Sequence, residues 1–170
     1  MKSIISSTLL RRPAALFAGA VVALTALDAA LAPAHAQTKP PIVAAKMQEL
    51  QQSDQRWIQI DLSKQRLVAW EGGKPVYAVV VSTGKGSTPT RTGTFAIKSK
   101  HRSARMRGAD YDVPNVPYTM YYHGGYAIHG AYWHRRFGTP VSHGCINVAV
   151  NHSKWLFNWA AVGTPVVVHK

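Results

Sequence analysis

A chain of 170 residues with 20 Lys and Arg against 7 Asp and Glu carries a formal net charge of +13, a single cysteine and 46% apolar residues. That length holds one domain with one substantial core, and one thiol excludes an intrachain disulfide framework. The strong basicity fits attraction to anionic polymers or simple solvation, and export (below) argues against nucleic acid.

Residues 1–36 read as a secretory signal peptide. Lys2, Arg11 and Arg12 precede an apolar run from Ala14 to Leu27, and Ala34-His35-Ala36 fits a small-x-small cleavage site. The run is shorter than the roughly 20 residues a spanning helix needs, and Asp28 closes it. Membrane attachment is expected only if this segment is retained. Residues 37–55 form a polar linker and a short helix over Ile42 to Gln52, where Ala44, Ala45, Met47 and Leu50 are spaced helically.

From Arg56 the pattern turns to strands. Trp57 to Leu62 and Arg66 to Trp70 are followed by Glu71-Gly72-Gly73-Lys74 as a hairpin turn. Pro75 to Val81 is a third strand, whose Val79-Val80-Val81 run predicts burial on both faces. A Gly/Ser/Thr/Pro loop covers Ser82 to Arg91, and Thr94 to Lys98 is a further strand. Arg102 to Pro117 lacks periodicity and reads as a long loop, the kind that walls or covers a site. The basic cluster Lys98 to Arg107 suits either an anionic envelope or plain solvation. Tyr118 to Tyr122 and Gly125 to His129 read as strands around a His123-Gly124 turn. Asn151 to Ala161 is a helix, capped by Asn151 or Ser153, with Trp155, Leu156 and Trp159 on its apolar face; Val166 to His169 is a closing strand. Many short strands with one or two short helices make a mainly-β sandwich or barrel.

The chemistry gathers at Ser142-His143-Gly144-Cys145-Ile146-Asn147. A nucleophilic thiol needs a base, because an unperturbed cysteine is only a few per cent thiolate at neutral pH; a paired imidazole is expected to make most of it thiolate. His143, two residues from the thiol, and His129, upstream in Ala127-Ile128-His129-Gly130, both qualify, and spacing alone does not choose between them. Successive N–H groups of His143, Gly144 and Cys145 can form a donor site for an oxyanion. His123, His129, His134, His143 and Cys145 lack the paired spacing of a zinc site, so no metal is expected.

His129-Gly130 followed by Ser142-His143-Gly144-Cys145-Ile146-Asn147 resembles the catalytic signature of the L,D-transpeptidase (YkuD-domain) family. Thr88-Pro89-Thr90-Arg91-Thr92-Gly93-Thr94-Phe95 and the closing run Leu156 to Val168 resemble other family segments, so the likeness spans residues 56–170 as one catalytic domain. The resemblance implies a β-sandwich, a Cys145 nucleophile, His129 as general acid/base and Ser142 orienting its ring. It also implies a backbone oxyanion site at His143 and Gly144. Tyr126, Trp133 and Asn147 are the expected substrate contacts. It further implies attack on the third-residue carbonyl of a peptidoglycan stem tetrapeptide, loss of D-Ala, and transfer to an amine as a 3→3 cross-link. Carbapenem sensitivity at Cys145 goes with this, as does action in the periplasm or cell wall, by a monomer without cofactors.

Two alternatives use the same site: an L,D-carboxypeptidase, with water as acceptor, and a non-catalytic peptidoglycan-binding module. A protein amine is a third possible acceptor. A papain-type hydrolase has the opposite order of cysteine and histidine and an early helix bearing the thiol.

Overall fold

The computed structural model describes residues 41–170; the expected signal segment lies outside them. Helix α1 (Ile42–Gln51) is followed by β1 (Arg56–Asp61), β2 (Arg66–Glu71), β3 (Lys74–Val80) and β4 (Gly93–Ala96). Then come β5 (Ser99–Arg107), β6 (Asp112–His123), β7 (Tyr126–Gly130), β8 (Ile146–Val148), α2 (Val150–Trp159) and β9 (Pro165–His169). The strands form two sheets, one in the order β3-β2-β1-β9-β4, the other β5-β6-β7-β8.

The inner faces of the two sheets meet in one core. Ile58, Ile60, Leu67 and Val79 come from the first sheet; Met120, Tyr122, Ile128, Ile146 and Val148 from the second; Leu156 of α2 joins them. Each fully buried aliphatic side chain there contributes roughly 1.5–3 kcal/mol. The first sheet has a covered back as well: Leu50 of α1 packs on Trp57 and Val167. That explains why the adjacent Trp57 and Ile58 of β1, and Val166, Val167 and Val168 of β9, are all buried, with Trp57 and Val167 facing α1 and their neighbours facing the core. Strand β9 lies between β1, to which it is parallel, and antiparallel β4.

The Gly72-Gly73 hairpin is a two-residue turn with Glu71 paired to Lys74, and Gly72 has φ +57°, open to glycine without strain. Several sequence expectations need correction. Val80 is 54% exposed while Val79 and Val81 are buried, so β3 alternates as a one-sided strand. Helix α2 starts one residue early, at an Ala149 cap without a side-chain bond; Ser153 sits inside the helix and donates to the Val150 carbonyl. The segment Arg102 to Pro117 is a β-hairpin: β5 pairs with β6 from Ser99↔Tyr121 to Arg107↔Asp112, and the tip is closed by Gly108 N–H donating to the Tyr111 carbonyl at 2.9 Å.

Candidate active site

Strand alternation aims the chemistry outward from the second sheet. Ile128 and Ile146 point into the core, so their neighbours His129, Cys145 and Asn147 share the opposite face. Parallel pairing sets His129 beside Asn147. A cavity of about 240 Å³ opens there, and His129, Trp133, His134, Ser142, His143, Cys145 and Asn147 line it together with Met106, Tyr111 and Val113 of the β5–β6 hairpin.

The turn bearing the thiol is held from below. Gly144 has φ +113°, and a Cβ there would lie 2.7 Å from the Tyr126 ring, so both backbone and space demand glycine. Thr90 Oγ1 donates to the Gly144 carbonyl (2.8 Å) and accepts from Gly84 N–H (2.9 Å). Thr88 Oγ1 donates to the Ser142 carbonyl at 3.0 Å, and Lys85 N–H reaches the same oxygen at 3.0 Å. The loop over residues 82–91 is therefore the scaffold of the cysteine turn, a role the sequence reading did not assign. The composition carried the signal: hydroxyl side chains packed among Gly and Pro bond to backbone.

Ser142 differs from its expected place. Its Oγ donates to the Cys145 carbonyl at 2.6 Å and accepts from Gly144 N–H at 3.0 Å, closing the turn on itself. The ring of His129 is instead fixed by Nδ1–H donating to the Gly130 carbonyl at 3.1 Å, which leaves Nε2 as the acceptor nitrogen. Gly144 N–H is thus engaged and is not a free oxyanion donor. The N–H groups of His143 and Cys145 make no hydrogen bond among the described residues.

His129 is 2% exposed, with Trp133 stacked over it. Burial pulls its basicity down to about 4; the Gly130 carbonyl opposes this and His134 adds to it. Burial likewise pushes the Cys145 thiol up, against a lowering by the Ala127 backbone. The resting pair is therefore neutral thiol and neutral imidazole, not the thiolate expected from pairing alone. Cys145 is half-buried, and its Sγ lies 3.6 Å from the Gly125 carbonyl.

Of the three residues expected to contact substrate, Trp133 and Asn147 line the cavity and Tyr126 does not. Its ring packs under Gly144 and against the core. Asn147 meets His134 Nε2 at 2.8 Å, while His134 Nδ1 accepts from Arg136 N–H at 3.1 Å. With Nδ1 accepting, a neutral His134 carries its proton on Nε2, so Asn147 meets it with its amide oxygen. His134, weighed in the sequence only as a metal ligand, is a wall of the cleft; burial, then Arg136, lowers its basicity.

The protein is a mainly-β, two-sheet sandwich that brings a cysteine and a buried histidine to one cleft. Residues 55–168 match the L,D-transpeptidase catalytic domain (YkuD), and the chain belongs to that family. It is 31% identical over 108 residues to L,D-transpeptidase 2 of Mycobacterium tuberculosis, covering 56% of this chain and 26% of that protein. The chain thus spans about a quarter of that relative's length, and 43% of the length of L,D-transpeptidase 1 of the same species. The catalytic domain of the Enterococcus faecium L,D-transpeptidase superposes with a TM-score of 0.63 at 31% identity, over 69% of this chain and 98% of that one. The L,D-transpeptidase LdtMt1, solved in complex with imipenem, superposes with a TM-score of 0.64 at 27% identity, over 69% and 60% of the two chains.

Proposed function

We propose that this protein is a peptidoglycan L,D-transpeptidase in which Cys145 is the nucleophile and His129 the general acid/base. One observation carries the reading. The only thiol and a buried imidazole with its Nδ1–H already committed line the same cavity. A histidine so fixed has one nitrogen left to take a proton.

As the thiol attacks the third-residue carbonyl of a stem tetrapeptide, its proton passes to His129 Nε2. A tetrahedral oxyanion forms, and the free N–H groups of His143 and Cys145 are its donors in place of Gly144. Collapse breaks the C–N bond; the D-Ala amine leaves with the proton from His129, and an acyl thioester remains on Cys145. An amine of a second stem attacks that thioester, giving the 3→3 cross-link and restoring the thiol. A buried neutral pair suits this sequence, since charge develops only during attack, in a site sheltered from water. The strongly basic chain fits work on an anionic wall outside the cytoplasm. The same thioester, met by water, gives the carboxypeptidase reading.

The test is incubation of the protein, and of its Cys145→Ala variant, with disaccharide-tetrapeptide, with products identified by mass spectrometry. A cross-linked dimer lacking one D-Ala, absent with the variant, is expected. Tripeptide alone moves the assignment to a carboxypeptidase, and unchanged but bound substrate to a wall-binding module. Because a structural relative binds imipenem, the same instrument is expected to find one imipenem adduct per chain, on Cys145.

A further inference from the structure

The tip of the β5–β6 hairpin places a carboxylate at the mouth of the cleft. Asp110, exposed and next to the turn closed by Gly108 and Tyr111, accepts from His143 Nε2–H at 3.0 Å. Tyr111 stacks on the same imidazole, with centroids 4.6 Å apart. Lys85 Nζ lies 3.4 Å from His143 Nε2. Two donor groups that close do not bond to each other, so the ammonium and the imidazole N–H stand side by side, with the Asp110 carboxylate bonded to the imidazole. The hydrogen bond from His143, with the charge of Lys85 as a smaller contribution, holds that carboxyl below its ordinary range.

Both donors are fixed to the cysteine turn. His143 is two residues from the thiol and lines the cavity. Lys85 is tied by its backbone N–H to the Ser142 carbonyl, and the preceding Gly84 bridges to Ser142. The arginines of the hairpin do not compete for Asp110, because Arg105 and Arg107 are engaged by Asp112 at 2.6 and 3.4 Å. A cation and an N–H donor side by side, one residue's reach from a nucleophile, match a peptide carboxylate close to the scissile bond.

We propose that Lys85 Nζ and His143 Nε2 form a carboxylate-binding subsite for the donor stem peptide, and that Asp110, bonded to the His143 side of it, is an internal competitor which the substrate displaces. The inference rests on the transpeptidase reading above. Two carboxylates of a donor lie near the reacting carbonyl: the C-terminal one of the leaving D-Ala and the side-chain one of a third-residue diamino acid. The chemistry of the subsite is the same for either.

Binding to the full-length protein carrying Cys145→Ala, followed by calorimetry, separates this subsite from turnover. The probes are the free-acid tetrapeptide, its C-terminal carboxamide, and the analogue amidated at the third-residue side chain. One amide is expected to bind about tenfold more weakly than the acid, which identifies the carboxylate that is held. Adding Lys85→Met is expected to erase that difference. Adding Asp110→Asn is expected to tighten the acid about threefold, because the internal competitor is gone. Equal binding of all three peptides, or a tenfold gap that survives Lys85→Met, overturns the subsite. Cross-linking by the unmodified protein reads the underlying function separately: it can succeed while the subsite fails. If the acid does not bind at all, both fall.

Discussion

Trp133 lies over the His129 imidazole, with ring centroids 5.7 Å apart and planes 27° from parallel. The indole is 41% exposed, whereas the imidazole beneath it is 2% exposed, so Trp133 is part of what keeps water from the proposed base. Trp133→Ala is expected to hydrate the ring and move its basicity back toward the ordinary value near 6.5. The acid limb of kcat/KM then shifts to higher pH, by at least one unit. A pH–rate profile of the two proteins checks this, and an unmoved limb would sink the shielding role.

The acidic limb of the parent protein follows from the same burial. A base held down to about 4 stays neutral and able to accept a proton throughout mildly acidic solution, so kcat/KM is expected to fall only near pH 4. With the thiol pushed up, little thiolate exists at neutral pH. Alkylation of Cys145 by iodoacetamide at pH 7 is expected to run about tenfold slower than that of an unhindered thiol, rising steadily toward alkaline pH.

Stability carries the matching signature. An imidazole that titrates near 6.5 when unfolded and about 4 when folded gives the unfolded chain the extra proton between those values. Stability is therefore full above about pH 6.5 and falls as pH drops toward 4, by up to roughly 3 kcal/mol. Denaturant unfolding at pH 7 and pH 4.5 measures this, and a His129→Gln variant is expected to lose the His129 part of the difference.

Ser142→Ala separates a turn-closing hydroxyl from one that orients the base. Removing Oγ leaves the Gly144 N–H without its partner and frees the Cys145 carbonyl. A cost of roughly 2–3 kcal/mol in unfolding free energy is expected, with a lower kcat but an unchanged acid limb. A displaced limb would place Ser142 on the imidazole after all.

Tyr122 offers a control in the core. Its hydroxyl is buried without a hydrogen-bond partner among the described residues. Tyr122→Phe removes an unsatisfied polar atom while keeping the ring, so the variant is expected to be neutral or about 1 kcal/mol more stable in thermal or denaturant unfolding.

The sandwich was legible where side chains alternate or glycines punctuate: the Gly72-Gly73 hairpin, β1 and β2, and the final strand all fall within two residues of expectation. It was illegible in the β5–β6 hairpin because β5 is an edge strand whose side chains are mostly exposed, so burial imprinted no alternation on Ser99 to Arg107. Cys145 and His129 were readable as a pair from the motif, and the cavity holds both. The connections of Ser142, Tyr126 and His134 were not, since a hydroxyl, a phenol ring and an imidazole each have several acceptable neighbours, and only the folded turn selects one. The neutral state of the pair was equally hidden, because desolvation depends on Trp133 and the hairpin, which meet the site only in three dimensions.

Strand β9 is inserted between β1 and β4, with Ile58 paired to Val166 across more than a hundred residues of chain. A ribosome that has delivered everything through α2 has therefore produced a sheet in two pieces, each with an open, apolar flank. Closure waits for residues 165–169, which must be threaded into the middle of the sheet rather than added at its rim. Folding of this domain therefore cannot be completed before β9 is available, and a sheet closed by so distant a pairing has the topology that slows folding.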